Sequence, residues 1–402
     1  MMHKPVNRIE VENKHLKLRI LLAVIAAVIA VVAFGYGIHS LLNRNSGWQT
    51  VDAYVDGVDC SSDFVFQYYF DSVGASATTE YKAVSALYTT ALEEAYQAFY
   101  PGGSLANVNA RPNAVVEVHP VLYAALESIQ SAGNRCLYLG PIYDEYDRVF
   151  LYKDELESAH YDPGQNAEIG AYVARIAEYS VDSKHIDLEL LGENRVCLNI
   201  SEEYLSYASE NGIEEFLDFG WMLNAFIVDH VAQTLAENGY TKGYINSYDG
   251  FIRNLDHRGL SYSLNLFDRL NNEIHQPASM TYMGPISVVS LRNYPMTDAD
   301  RWHYYSFANG RIVTAYVDPK DGMSKSATDN LLVYSQNVGC AQIVLEIAPI
   351  YLADVLDVAA LEALSDRQID TIWFEDTVLK YTQKAPSLTL NEDAQSAGYQ
   401  IP

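Results

Sequence analysis

Basic side chains are scarce in this chain of 402 residues, which carries 26 Lys and Arg against 52 Asp and Glu. The formal net charge is therefore −26. Most of such a surface repels a phosphate backbone, so the composition excludes a nucleic-acid-binding protein that works through basic patches. The acidity favours solubility but does not identify a substrate.

Several common site signatures are also absent. No two cysteines form a C-x-x-C pair, no two histidines have an H-x-x-x-H spacing, and no G-x-S-x-G occurs. These absences argue against a thiolate zinc site, a zinc hydrolase and a serine hydrolase elbow. The four cysteines, Cys60, Cys136, Cys197 and Cys340, are widely spaced. The sequence leaves open whether they form one or two disulfides or remain buried free thiols.

One long apolar segment lies near the N-terminus. Residues 20–38 are nineteen positions without a charged side chain. At 1.5 Å rise per residue, a helix of this length spans roughly 28 Å, which approximates the hydrocarbon thickness of a bilayer. The sequence therefore predicts a transmembrane helix over residues 20–38.

The charges beside this segment predict its orientation. Five basic residues precede it within 1–19, and only Arg44 follows it closely. The positive-inside rule therefore places residues 1–19 in the cytoplasm and the main part of the chain outside a single-pass cell-membrane anchor. A cleaved signal peptide is the alternative, although the length of the segment and the lack of a small-x-small cleavage site favour an anchor.

The rest of the chain mixes strand and helix signals. Short apolar patterns predict strands at 64–70, 187–191 and 195–200, and helical spacing predicts helices at 80–99, 120–131 and 166–179. Asn309-Gly310 predicts a hairpin over 303–317, because both residues accept the positive φ angles of a type I′ turn. We expect one α+β domain over 62–382, with one lobe or two, between a linker at 39–61 and a flexible tail at 383–402.

Segment 217–229 is the most informative part of the sequence. Asp218 and Gly220 stand just before an amphipathic helix that continues to Asn238. A carboxylate in that position can cap free N–H groups, and glycine lets a ligand approach the backbone. A helix start of this kind can hold a pyrophosphate. Taken alone, however, the segment is more typical of an ordinary capped core helix.

This segment does not stand alone, because several others follow it in a recognisable order. Asp218, Gly220 and Asp229 occupy the first, third and last positions of the pattern D-x-G-G-x-A-K-G-x-x-x-D. Residues 315–322 are similar to H-I-x-D-P-x-T-G. In this order and spacing, residues 62–382 resemble the ApbE family, the FAD:protein FMN transferases. The resemblance implies an ApbE-like mixed sheet and helix domain.

The positions that carry chemistry in that family are less well kept than those that carry the fold. Trp221 replaces a glycine, Asn224 the lysine, Asp249 the first glycine of a Gly-Gly turn, and Ala315 the histidine. Lost contacts to a transferring phosphoryl group commonly cost a hundredfold or more in rate each. The replacements therefore predict a slow or silent catalyst that still binds its ligand.

The resemblance also implies a set of site residues. FAD is the implied substrate, and the implied flavin-nucleotide positions are Tyr100, Asp218 and Asn224. Mg²⁺ is the implied metal, with Gln342, Glu346 and Trp221 as its candidate positions. Gln342 and Glu346 replace the Asp and Thr of the family pattern A-D-x-x-x-T, and the alternative is that they form a solvent-facing helix surface.

Three functions remain open at this stage. The first is a membrane-anchored FMN transferase that modifies a Thr or Ser hydroxyl of exported acceptor proteins. The second is a catalytically silent relative that binds flavin or a partner protein. The third is an extracellular binding or adhesion module with a closed pocket.

Overall fold

The structure is a computed structural model that describes residues 25, 28–29, 32–35, 46–55, 63–382 and 387–401. The transmembrane segment predicted at 20–38 therefore lies mostly outside the described residues. Among those that are described, no helix combines the length and the apolar character needed to cross a bilayer.

Contacts divide the chain into two units. The first groups the described residues up to Gln49 with Tyr69–Lys82, and the second contains Thr50–Tyr68 and the chain from Ala83 onward. Within the first unit, Ser72 Oγ donates to Glu80 at 2.9 Å and fixes the turn into the first helix. The second unit contains the candidate site.

Sixteen strands and eleven helices occupy the described residues. The strands are β1 Gly47–Val51, β2 Phe64–Phe70, β3 Val115–Glu117, β4 Ile186–Leu190, β5 Arg195–Ile200, β6 Gly243–Ser247, β7 Phe251–Asn254, β8 Ser261–Leu270, β9 Glu273–Met283, β10 Ile286–Arg292, β11 Tyr304–Ser306, β12 Ile312–Thr314, β13 Asn330–Ser335, β14 Asp370–Glu375, β15 Val378–Tyr381 and β16 Ser387–Leu390. The helices are α1 Gly74–Phe99, α2 Ser104–Asn109, α3 Pro120–Ala132, α4 Gly140–Leu151, α5 Glu155–Tyr161, α6 Ala167–Val181, α7 Glu202–Asn211, α8 Leu223–Glu237, α9 Cys340–Tyr351, α10 Val358–Ser365 and α11 Glu392–Ser396.

An eight-stranded sheet has the order β1-β2-β6-β7-β10-β13-β14-β15. From β2 to β15 its neighbours are antiparallel, and Val289 of β10 pairs with Phe251 on one side and Val333 on the other. Helix α8 packs on β6 and β7, and α9 packs on α8 and β10. Both helices bury apolar side chains around much of their circumference, which fixes them against the sheet.

Three smaller sheets complete the α+β fold, with orders β3-β5-β4, β16-β9-β8 and β11-β12. The strand prediction at 64–70 is confirmed, as are the helices at 120–131 and 166–179 to within two residues. The predicted hairpin around Asn309-Gly310 is also confirmed, with shorter strands than the sequence pattern indicates.

The segment predicted as a flexible tail after residue 382 is instead partly ordered. Strand β16 pairs with β9, and its residues Leu388 and Leu390 pack against a buried cluster that includes Met280. The alternation of Leu with polar residues is a short strand signal, but β16 needs a distant partner strand to form.

The described cysteines settle part of the disulfide question. Cys136, Cys197 and Cys340 are buried free thiols. Burial raises the pKa of Cys136 to about 12, which keeps its thiol protonated and unreactive. Cys60 lies outside the described residues.

Candidate functional site

A cavity of about 570 Å³ lies where the start of α8 meets the turn between β6 and β7 and the end of β10. Its size is within the range of small-molecule sites. Its lining combines aromatic rings, carboxylates and two basic side chains: Asp63, Trp221, Asn224, Tyr248, Asp249, Phe251, Arg292, Met296, Thr297, Asp300, Trp302, His303, Tyr304, Ala315 and Tyr316.

Six of the fifteen lining residues are Phe, Tyr or Trp. Trp221 meets Tyr316 edge to face, with ring centroids 5.2 Å apart, and the Tyr304 and Tyr316 hydroxyls are 3.4 Å apart. The Tyr304 hydroxyl also donates to the Arg292 carbonyl oxygen at 3.0 Å. At the rim, Tyr248 and Trp302 are 58% and 49% exposed. Such walls suit a flat aromatic ligand, which can contact rings on several sides.

Asn224 and Asp249 form a polar pair in the same cavity. Asn224 Nδ2 donates to Asp249 Oδ2 at 2.9 Å, whereas Asp249 Oδ1 has no partner among the described residues. Burial raises the pKa of Asp249, and the neighbouring Ser247 and His303 act in the opposite direction. The Ser247 hydroxyl donates to the Phe251 carbonyl oxygen at 3.4 Å, so it does not serve as the partner of Asp249 Oδ1. Asn224 thus stands in the cavity as the resemblance implies, but it faces a carboxylate.

Arg292 supplies the positive charge of the cavity wall. Its Nη2 donates to Asp300 Oδ1 at 3.0 Å, and the other oxygen of Asp300 accepts the Met296 and Thr297 N–H groups. These bonds hold the guanidinium in place. Arg292 lies at the end of β10, and no local sequence pattern predicts that it belongs to a site.

His303 lines the cavity beside Ala315, whose position corresponds to a histidine in the family pattern. The Ala315 N–H donates to the His303 carbonyl oxygen at 3.0 Å. An imidazole therefore enters the same cavity from a neighbouring segment. No local sequence pattern predicts this, because His303 and Ala315 meet through the pairing of two neighbouring segments.

Asp218 does not line this cavity. Its Oδ1 accepts the Gly220 N–H at 2.8 Å, so it shapes the 3-10 turn Gly220–Met222, and helix α8 begins without a side-chain cap. Gly220 has φ +51°, and a Cβ there would lie 2.6 Å from the Tyr143 ring. Burial raises the pKa of Asp218 to about 6, and the charges of Glu215 and Asp144 act in the same direction. The glycine thus admits a tyrosine ring rather than a ligand.

Tyr100 is likewise separate from the aromatic cavity. It lines an open depression with Tyr96, and the two ring centroids are 4.1 Å apart. Nearby Asn109 is buried and donates to the Leu217 carbonyl oxygen at 2.9 Å, which joins the Tyr100 region to the segment before Asp218. Of the implied flavin positions, only Asn224 lies in the cavity.

The structure brings Gln342 and Glu346 together but places them apart from the third candidate metal position, Trp221. Gln342 Nε2 donates to Glu346 Oε1 at 2.9 Å, and Arg367 donates to both Glu346 oxygens at 2.7 and 2.8 Å. Trp221 lines the cavity, but Gln342 and Glu346 do not. No group of three or more His, Cys, Asp or Glu suited to a metal ion occurs in the described part of the chain. Because Arg367 already neutralises Glu346, these residues do not fit a Mg²⁺ site.

Two motif positions that match the family pattern have structural roles here. Asp229 accepts the N–H groups of Cys340 and Ala341 at 3.0 and 2.8 Å, at the start of α9. Asp318 accepts the Gly322 N–H through its carbonyl and the Lys325 ammonium through its carboxylate. These residues keep the fold that surrounds the site.

Comparison with known proteins supports the same fold. Solved structures that match include the ApbE protein from Thermotoga maritima, with a TM-score of 0.54, 11% identity, and coverage of 87% of this chain and 98% of that one. A mutant of the flavin transferase ApbE from Vibrio cholerae has a TM-score of 0.52, 15% identity, and coverage of 85% and 98%. No protein-family model and no curated protein matches the chain. The predicted ApbE-like α+β fold is therefore confirmed. At 11% and 15% identity, the comparison shows the fold and not the activity.

Proposed function

We propose that this chain is a flavin-nucleotide-binding protein, with the ring system of FAD or FMN seated in the aromatic cavity. The observation that carries the proposal is the cavity itself, which joins aromatic walls to Asn224 and Arg292 on a fold similar to that of flavin transferases. An isoalloxazine is flat and aromatic, so rings such as Tyr316 and Trp302 are suitable neighbours.

Titration of the full-length chain with FMN and FAD tests this proposal. We expect flavin fluorescence to change on binding, and Trp302→Ala to weaken the affinity roughly tenfold, because an aromatic contact to the ring is lost. Trp48 is also partly exposed, at 37%, but lies outside the cavity. Trp48→Ala is therefore the matched control. Equal effects of the two substitutions, or no flavin binding at all, would reject the aromatic cavity as the site.

FMN transfer is the second candidate function, and the similarity to known flavin transferases supports it. In this reaction a Thr or Ser hydroxyl of an exported acceptor attacks the FMN-side phosphorus of FAD, the pyrophosphate bond breaks, AMP leaves and the hydroxyl proton is released. The pairing of Glu346 with Arg367 offers no Mg²⁺ site to neutralise the leaving charge. We therefore propose that the chain binds FAD but transfers FMN slowly or not at all.

AMP release distinguishes the two candidates. The full-length chain is mixed with FAD, Mg²⁺ and a Thr-containing acceptor protein, and AMP is measured over time. If flavin binds and AMP is released no faster than in the absence of the protein, the result supports the binding function. AMP release that depends on both Mg²⁺ and acceptor supports the transferase. It also contradicts the conclusion that Glu346, paired with Arg367, offers no Mg²⁺ site.

We further propose that the chain is a single-pass membrane protein with its main domain outside the cytoplasm. The charge-free segment 20–38 and the basic residues before it support this. Protease added to intact cells should digest the main domain and leave residues 1–19 protected. Full protection of the domain would contradict its placement outside the cytoplasm. Recovery of the domain in the soluble fraction would contradict the anchor.

A further inference from the structure

Three polar atoms in the wall of the aromatic cavity have no hydrogen-bond partner among the described residues. They are Trp221 Nε1, Asp249 Oδ1 and Arg292 Nε. Folded proteins leave few enclosed polar atoms unsatisfied, because each lost partner destabilises the fold. Three such atoms around one cavity therefore point to a ligand that supplies the missing partners.

The chemistry of these atoms defines the ligand edge. The indole of Trp221 and the guanidinium of Arg292 can only donate. Asp249 Oδ1 is a carboxylate oxygen and can accept. The other oxygen, Oδ2, already accepts the Asn224 amide at 2.9 Å. A complementary edge therefore presents two acceptors and one donor. An imide, with an N–H between two carbonyl groups, has this composition.

We propose that the cavity recognises a ring through its imide edge, with Trp221 and Arg292 donating to the two carbonyl oxygens and Asp249 accepting from the imide N–H. The inference rests on the proposed flavin function, since the pyrimidine part of isoalloxazine carries such an edge. Uracil carries the same edge on a single ring.

The surroundings support this assignment. The Arg292 guanidinium is held by Asp300 through Nη2, which leaves Nε for a ligand. Trp221 and Asp249 both replace glycines of the family pattern, so their side chains add polar groups that the pattern lacks. The three atoms are enclosed by the wall, so the imide edge reaches them only if wall side chains shift, while the half-exposed Tyr248 and Trp302 stay at the rim in contact with the ring.

Ligand analogues test the imide contact without any mutation. Calorimetry on the full-length chain compares FMN with 3-methyl-FMN, in which a methyl group replaces the imide hydrogen. Loss of a hydrogen bond to a carboxylate predicts at least tenfold weaker binding of the methyl analogue. Uridine monophosphate is the third ligand, and it distinguishes a flavin from a pyrimidine nucleotide. We expect it to bind more weakly than FMN, because it contacts fewer of the rings.

Each outcome is decisive. FMN binding with a tenfold preference over the methyl analogue supports the inference. Equal binding of the two overturns the imide contact and leaves flavin binding in place. Uridine monophosphate binding without FMN binding supports the imide edge and rejects the flavin proposal. Binding of none of the three overturns both.

Substitutions at Asp249 separate hydrogen bonding from steric exclusion of the methyl group. Asp249→Leu keeps a similar volume but removes the acceptor, so FMN should lose about tenfold in affinity and the methyl analogue should be unaffected. Asp249→Asn retains an acceptor oxygen and should restore the preference for FMN. Asp366→Leu, an exposed position outside the cavity, is the control. An Asp249→Leu variant that binds FMN as tightly as the parent chain would overturn the role of Asp249.

Discussion

Asp229 shows, at the scale of one residue, how a site motif can be retained for stability. Its carboxylate accepts the N–H groups of Cys340 and Ala341 and the guanidinium of Arg253. Gly339 permits this approach, since a Cβ there would clash with Asp229 Oδ2. One side chain thus joins α8, β7 and the start of α9, which fixes the helices beneath the cavity.

Asp229→Ala should therefore lower the free energy of unfolding by about 3 kcal/mol, because Arg253 and two helix N–H groups lose their partner. Urea denaturation measures the change. Asp357 is the matched control, since it caps α10 through a single bond to Ala360 at 3.0 Å in an exposed position. Asp357→Ala should cost about 1 kcal/mol. Similar losses for both variants would show that Asp229 acts only as an ordinary cap.

Asp218 makes a second prediction at this scale, which concerns pH. Burial raises its pKa in the folded chain to about 6, from the ordinary value of 3.8. The folded state therefore binds more protons between these values, and this carboxylate makes the fold less stable as pH rises from about 4 to 6. Asp218→Asn keeps an acceptor for the Gly220 N–H and cannot ionise. Its stability relative to the parent chain should improve by about 2 kcal/mol between pH 4 and pH 7, and parallel pH curves in thermal denaturation would contradict this.

The C-terminal segment shows how an element can depend on distant contacts. Tyr399 is buried, and its hydroxyl donates to Asp268 Oδ2 at 2.9 Å. The Leu379 N–H donates to the Gln400 carbonyl oxygen at 2.9 Å, which ties the chain end to β15. The bond to Asp268 of β8 and the pairing of β16 with β9 hold residues 387–401 in the three-stranded sheet, and the bond from Leu379 ties them to the eight-stranded sheet.

Tyr399→Phe tests this anchoring. It leaves the apolar contacts of the ring but removes a hydrogen bond to a buried carboxylate, so the free energy of unfolding should fall by about 2 kcal/mol. Tyr381, which is 38% exposed, provides the control, and Tyr381→Phe should change stability by less than about 0.5 kcal/mol. Retained stability in Tyr399→Phe, measured by urea denaturation, would mean that the bond to Asp268 is dispensable.

The elements that the sequence predicted are those with local signals. The strands predicted at 187–191 and 195–200 correspond to β4 and β5, and the turn between them has positive φ at Gly192, Glu193 and Asn194. Strand β16 carries only a short alternation of Leu with polar residues, and this local signal did not suffice because the strand forms by pairing with β9, over a hundred residues away. Of the site residues predicted from the sequence, only Trp221 and Asn224 line the cavity. Arg292 and His303 reach it from separate elements, and their meeting depends on strand order, which local patterns do not encode.

At the scale of the whole molecule, the net charge of −26 sets a field that any anionic ligand must enter. Within the cavity, Asp63, Asp249 and Asp300 outnumber the single guanidinium of Arg292, and Asp300 already pairs with it. An FMN phosphate carries close to two negative charges at neutral pH. Phosphate binding is therefore opposed by the protein as a whole, whereas the uncharged ring system is not.

This opposition predicts an unusual salt dependence. The Debye length falls from about 30 Å at 0.01 M to below 8 Å above 0.15 M salt, so screening should remove most of the repulsion and raise FMN affinity roughly threefold between 0.01 and 0.3 M. Riboflavin has the same ring without the phosphate, and its affinity should remain constant in the same titrations. If salt weakens FMN binding but not riboflavin binding, then a local cation holds the phosphate. Arg292 would be its nearest candidate in the cavity, and the assignment of its Nε to a ring carbonyl would fail.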